Sequence, residues 1–113
     1  TPDAGGPDVA AVRIETVPGA SRCDLKAVVA RLAELEINTV WLEAGPTLTG
    51  AMLAAGLVDE LILYLAPCLL GDSARDLLVL PELTSLDARQ RLQIDDIRKV
   101  GEDLRIVARP VAD

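Results

Sequence analysis

The segment Val40-Trp41-Leu42-Glu43-Ala44-Gly45-Pro46-Thr47-Leu48-Thr49-Gly50-Ala51 most constrains what this chain can build. It reads as a buried strand that turns on a glycine straight into a helix. Gly45 suits the N-cap, and Pro46 suits the first helical position, where its missing N–H costs nothing. Early backbone donors, those of Thr47 and Leu48 for example, then have no intrahelical partner. A helix start without a side-chain cap favours anions, because the free N–H groups and the helix dipole both attract negative charge. In an open α/β sheet a phosphate-bearing ligand is held at such a place, past the carboxyl end of a strand.

Composition narrows what that ligand can be. The chain has 113 residues, half of them hydrophobic, yet its only aromatics are Trp41 and Tyr64. Its core must therefore be Leu, Val, Ile and Ala, which suits helices packed on a sheet. The formal charge is −7, with no basic cluster. A nucleic-acid partner needs a positive footprint and is not expected. No apolar run is long enough to span a bilayer, and no signal-peptide pattern opens the chain, so no membrane is expected either. Cys23 and Cys68 stand far apart, and histidine is absent. These facts exclude a zinc site, a Ser-His-Asp triad and a Cys-His pair within the chain, and they fit two free thiols in a reducing cytoplasm. Any chemistry must come from a cofactor or from carboxylates.

Periodicity gives the order of elements. Thr1-Pro2-Asp3-Ala4-Gly5-Gly6-Pro7 predicts a disordered opening to about residue 8, followed by a short strand over about 9–16. Pro18-Gly19 marks a turn. Asp24 is suited to cap a helix from Leu25 to about Leu35, with Leu25, Val28, Val29 and Leu32 as its apolar stripe and Asn38 at its end. Thr39 to Glu43 follows as a strand apolar on both faces, as a central parallel strand would be, with Trp41 in the core. The helix after Gly45 is expected to bury Leu48, Met52 and Ala55, with Ala51 flanking, and to stop at Gly56. Leu61 to Leu65 is a strand closed by Pro67. Asp76 to Leu80 is apolar and ambiguous. Leu92 and Ile94, then Leu104, Ile106 and Ala108, alternate with polar residues about Gly101-Glu102-Asp103, which predicts an antiparallel hairpin at a sheet edge.

Glu43 sharpens the reading of the Gly45 turn. Strand–glycine–helix junctions also arise simply because a tight turn needs glycine. A carboxylate at the end of a buried strand, beside an anion-binding helix start, is poorly placed for stability. It suits a hydrogen-bond acceptor for ligand hydroxyl or N–H groups. The alternative is that Glu43 reaches solvent or pairs with an arginine. Asp59 and Glu60 read as solvated turn charges, and Asp95-Asp96 in a strand should point to opposite faces.

Three motifs in register carry a resemblance: Leu42-Glu43-Ala44-Gly45-Pro46-Thr47-Leu48, Ala55-Gly56-Leu57-Val58-Asp59-Glu60-Leu61 and Leu65-Ala66-Pro67-Cys68-Leu69-Leu70-Gly71. From about Leu25 to Arg109 the sequence resembles the C-terminal reductase domains of the RibD family, bifunctional deaminase-reductases of riboflavin biosynthesis. The resemblance implies an α/β fold of the dihydrofolate-reductase-like kind: a mixed sheet with helices on both faces and a C-terminal antiparallel hairpin, here as a partial domain. It implies NADPH-dependent reduction of the ribosyl group of 5-amino-6-(5-phosphoribosylamino)uracil to ribityl. Carried over by position, the cofactor-binding turn falls on Gly45, Pro46, Thr47, Leu48, Thr49, Gly50 and Ala51, and the substrate-contacting glutamate on Glu43. No catalytic proton donor can be picked out.

The cysteine usage fits the cytoplasm, and the same resemblance implies a homodimer. It also places zinc only in a deaminase domain that this chain lacks, along with the first reductase strands and their Ser-Leu-Asp-Gly motif. Cys68 stands where relatives often have lysine, and Ala44 where many have glycine. The expected identity of residues 1–113 is therefore the C-terminal portion of such a reductase. Two alternatives remain open: a non-catalytic dimerisation fragment, or another pterin or pyrimidine reductase on the same fold.

Overall fold

The computed structural model describes residues 12–112. They fall into two units, one ending at Trp41 and one beginning at Leu42. The expected disorder of residues 1–8 and the start of the 9–16 strand lie outside the described residues. Residues 12–16 form no strand.

The first unit is built on α1, Leu25–Glu34. Asp24 caps it: its Oδ1 accepts from the N–H groups of Lys26 at 3.0 Å and Ala27 at 3.3 Å. The Asp24 N–H in turn donates to the Pro18 carbonyl at 2.9 Å, which closes the predicted turn. Leu25, Val28, Val29 and Leu32 are all half-buried, as their spacing requires. Arg31 binds Glu34 at 2.9 Å and Glu15 at 3.1 Å, and Glu15 also pairs with Arg13. The Arg31 hydrogen bond, against the opposing effect of desolvation and with the charges of Arg13 and Arg31, holds the Glu15 carboxyl below its ordinary range.

The helix ends differently from expectation. Glu36, not Asn38, takes the left-handed conformation, at φ 61°. Its N–H donates to Ala33 at 2.9 Å, and that of Ile37 donates to Leu32 at 3.0 Å. These two bonds form a Schellman cap and satisfy the terminal carbonyls, so the stop is set three residues after Ala33 whatever side chain stands there.

Thr39 to Glu43 joins no ladder, and Trp41 is 69% exposed rather than in the core. An apolar run becomes a parallel strand only where its backbone joins a ladder, and the run from Thr39 to Glu43 joins none.

The second unit holds α2, Pro46–Ala54, and strands β1, Leu61–Leu65, β2, Arg91–Val100, and β3, Asp103–Val111. All pairings are antiparallel, in the order β1-β3-β2. The predicted hairpin is β2–β3, turning on Gly101 and Glu102. Gly101 alone has positive φ there, at 60°, as a two-residue loop matched to strand twist requires. Leu61, Leu63 and Leu65 share a face with Leu104, Ile106 and Ala108. Ala108, at 1% exposure, is its most buried point. Pro110 lies beyond the last β1 pairing, where β3 has a neighbour on one side only.

One bulge corrects the reading of Asp95-Asp96. The register slips between Ile94, opposite Ala108, and Asp96, opposite Val107. The extra residue lets Ile94 and Ile97 share the apolar face although they are three apart. It also brings both aspartates to the arginine-bearing face instead of opposite ones. Asp95 binds Arg109 at 3.3 Å, while Asp96 binds Arg98 at 2.8 Å and lies 3.8 Å from Arg105. The Arg98 hydrogen bond holds the Asp96 carboxyl below its usual range. Both carboxylates serve guanidinium groups.

Candidate functional site

The Gly45 turn forms as its sequence requires. Gly45 is the N-cap of α2, at φ −70° and ψ 173°, and Pro46 opens the helix. Glycine supplies no side-chain acceptor, and the first turn carries no acidic residue. The first carbonyl bond is made by Thr49, whose N–H donates to Gly45 at 3.2 Å. Its hydroxyl reaches the Ala44 carbonyl at 3.4 Å. Among the described residues no acceptor meets the N–H groups of Thr47 and Leu48. Among the described residues, the positive end of α2 is therefore left without a hydrogen-bond acceptor, and Thr47 and Leu48 are exposed.

Space around the turn agrees with this. A Cβ built on Gly45 meets nothing within 4 Å. Glu43, Ala44, Gly45, Thr47 and Leu48 are all exposed. Glu43 thus lies two residues before the open helix start, although without the buried strand expected beneath it. Gly50 is different. It is buried, and the backbone of Val79 lies against it.

The buried face of α2 was not readable from the sequence. Gly50 and Leu53 are buried, Met52 and Thr49 are half-buried, and Leu48, Ala51 and Ala55 are exposed. The helix is apolar nearly all round, so periodicity cannot choose a face. Val79 chooses it: the Val79 N–H donates to the Pro46 carbonyl at 3.1 Å. Sequence reasoning missed Val79, although a glycine inside a helix was a usable signal of close backbone approach. Gly56 ends α2 as expected, at φ 71°, with its N–H on Leu53 and that of Leu57 on Met52.

Other candidates gain nothing. Cys23 and Cys68 are free and exposed. Among the described residues no three His, Cys, Asp or Glu side chains gather where they could hold a metal ion. No helix among them is long and apolar enough to cross a membrane. A shallow hollow lined by Val17, Gly19, Ala20, Ser21, Arg22 and Cys23 lies in the first unit and contains none of the predicted site residues.

Comparison with known proteins shows the family and the fold. The family described as RibD C-terminal domain matches residues 6–106. Riboflavin biosynthesis protein RibD of Escherichia coli (strain K12) is 51% identical over 81 residues, covering 72% of this chain and 22% of that protein. The 5-amino-6-(5-phosphoribosylamino)uracil reductase of Buchnera aphidicola subsp. Acyrthosiphon pisum is 39% identical over 79 residues, covering 70% of this chain and 38% of that protein. Among solved structures, form 2 of Acinetobacter baumannii RibD superposes with a TM-score of 0.75 at 33% identity, covering 81% of this chain and 26% of that one. The chain thus spans about a quarter of the length of the RibD proteins it matches. The expected α/β class agrees with these structures, and the antiparallel β1-β3-β2 sheet with its two helices is consistent with part of their domain. With a family profile that covers most of its sequence, the chain belongs to the RibD C-terminal domain family.

Proposed function

We propose that this chain is the C-terminal portion of a reductase that converts 5-amino-6-(5-phosphoribosylamino)uracil to its ribityl product with NADPH. The observation that carries the reading is the uncapped start of α2, where the Thr47 and Leu48 N–H groups and the open face of Gly45 fit a phosphate. The activity for which the Buchnera relative is named supports the reaction class. A second relative, from Methanothermobacter thermautotrophicus and 36% identical over 91 residues, is named as a reductase of a related pyrimidinone phosphate.

When bound, the dinucleotide supplies a hydride for the opened sugar carbonyl. The work of this chain is then binding and orientation. Gly45, Pro46, Thr47, Leu48, Thr49, Gly50 and Ala51 make up the cofactor turn. Thr47 and Leu48 donate N–H groups to phosphate oxygens, and Gly45 leaves the approach clear. Glu43, just before the turn, accepts hydrogen bonds from substrate hydroxyl or N–H groups. Holding two reactants in fixed geometry supplies much of the rate enhancement in such a step. Nothing in this account needs a histidine or a metal ligand from this chain.

Two substitutions in the full-length natural chain test it. Gly45→Val should weaken NADPH binding in a titration, and unchanged binding would make the turn purely structural. Glu43→Gln should lower turnover of the aminouracil more than it lowers NADPH affinity, and equal effects would contradict the assigned role.

A second reading, a dimerisation module without catalysis, is favoured by the apolar residues Leu65, Ile94 and Ile97 exposed on one sheet face. Light scattering combined with an NADPH titration separates the two. A homodimer that ignores NADPH supports assembly alone.

A further inference from the structure

Alanine is more stable than glycine inside a helix by about 1 kcal/mol, so a glycine in mid-helix needs a reason. Conformation does not supply it at Gly50, which is not among the glycines with positive φ. Space does. A Cβ at Gly50 would lie 2.0 Å from the Val79 carbonyl oxygen and 2.8 Å from its carbon. Both are backbone atoms, and no side-chain rotation relieves the clash. The same residue also hydrogen-bonds the helix, through the 3.1 Å bond from Val79 N–H to Pro46 C=O. Pro46 and Gly50 are four residues apart, the two ends of one helical turn. The Val79 backbone therefore seats against Gly50 and, from that one place, hydrogen-bonds the carbonyl one turn earlier. Gly45, in the same segment, meets nothing within 4 Å.

We propose that Gly50 is a positioning residue. Its missing side chain admits the Val79 backbone, which fixes the direction in which Thr47 and Leu48 present their N–H groups. Gly45 alone of the two glycines keeps the path to phosphate open. The inference rests on the reading of α2 as a phosphate holder and assigns that site a support from a distant part of the chain.

Hydrogen exchange at single amides tests it, on the full-length chain without nucleotide, followed by an NADPH titration. In the wild type the Val79 N–H should exchange at least tenfold more slowly than that of Leu78, which has no acceptor among the described residues. Gly50→Ala should abolish this protection and weaken NADPH binding at least tenfold. Gly45→Ala should weaken NADPH binding with Val79 still protected. Equal exchange at Val79 and Leu78 in the wild type overturns the proposal, and this comparison decides even if Gly50→Ala does not fold. Weakened binding in Gly50→Ala with Val79 still protected also overturns it, by making Gly50 a direct ligand contact. A wild-type chain that protects Val79 but ignores NADPH removes the reductase reading and leaves the packing role of Gly50 standing.

Discussion

The two helices of this chain begin in opposite ways. At α1 the Asp24 carboxylate accepts from two of the early N–H groups. At α2 the equivalent residue is glycine, and the amides of Thr47 and Leu48 meet no acceptor among the described residues. A side-chain cap contributes roughly 1 kcal/mol over alanine but only about a few tenths over glycine, so α2 leaves its amides open at little cost in stability. The two helix ends, by contrast, use the same Schellman bonding, so the chain does close helix termini where nothing opposes it. The asymmetry at the starts is what a binding role for α2 requires.

The most direct way to break the comparison is to give α2 the cap that α1 has. Gly45→Asp should stabilise the full-length chain by roughly a few tenths of a kcal/mol at most, since glycine is itself a tolerable cap. The same carboxylate would occupy the free amides and repel phosphate. NADPH affinity should fall at least tenfold, about 1.4 kcal/mol, in a calorimetric titration. Unchanged affinity would equate the two helix starts. The converse change, Asp24→Ala, should cost about 1 kcal/mol in denaturant unfolding and leave NADPH binding within twofold.

How much of this contrast was legible in the sequence depends on whether a feature is local. Asp24, the Leu25–Leu32 stripe, the Gly45-Pro46 start and the Gly56 stop involve residues within a few positions of one another, and each forms where the sequence indicates. The failures involve distant partners. Thr39 to Glu43 has strand composition but joins no ladder, and strand pairing is a matter of distant backbone. The buried face of α2 is set by Val79, far along the chain, because the helix itself is apolar nearly all round. Asp95 enters as a bulge because pairing Ile97 with Ile106 demands one extra residue after Ile94. Asn38 was a reasonable helix stop by residue type, but the carbonyls of Leu32 and Ala33 place the left-handed turn at Glu36.

That last difference yields a smaller test. Glu36 holds a conformation that costs a non-glycine residue about 1 kcal/mol, whereas α2 has glycine at the matching position. Glu36→Gly should therefore stabilise α1 by about 0.5–1 kcal/mol, measured as a higher denaturation midpoint with an unchanged slope. No gain would mean that the Glu36 side chain contributes where it stands.

The smallest effect is electrostatic. Arg31, with Arg13, depresses the Glu15 carboxyl in the folded chain. A depressed carboxyl stabilises the fold above its unfolded pKa, and that contribution is lost as pH falls through the lower folded value. Glu15→Gln should flatten the acid limb of the stability profile without changing it near neutrality in shape, and the change should shrink in high salt because the pair is solvent-exposed.

The backbone amides themselves give the most direct test. In a nitrogen-edited NMR titration of the full-length chain, saturating NADPH should shift the Thr47 and Leu48 N–H resonances more than those of Lys26 and Ala27, which Asp24 already binds. NADPH binding that leaves Thr47 and Leu48 unmoved would show that the dinucleotide is held elsewhere, and the open start of α2 would have no ligand to explain it.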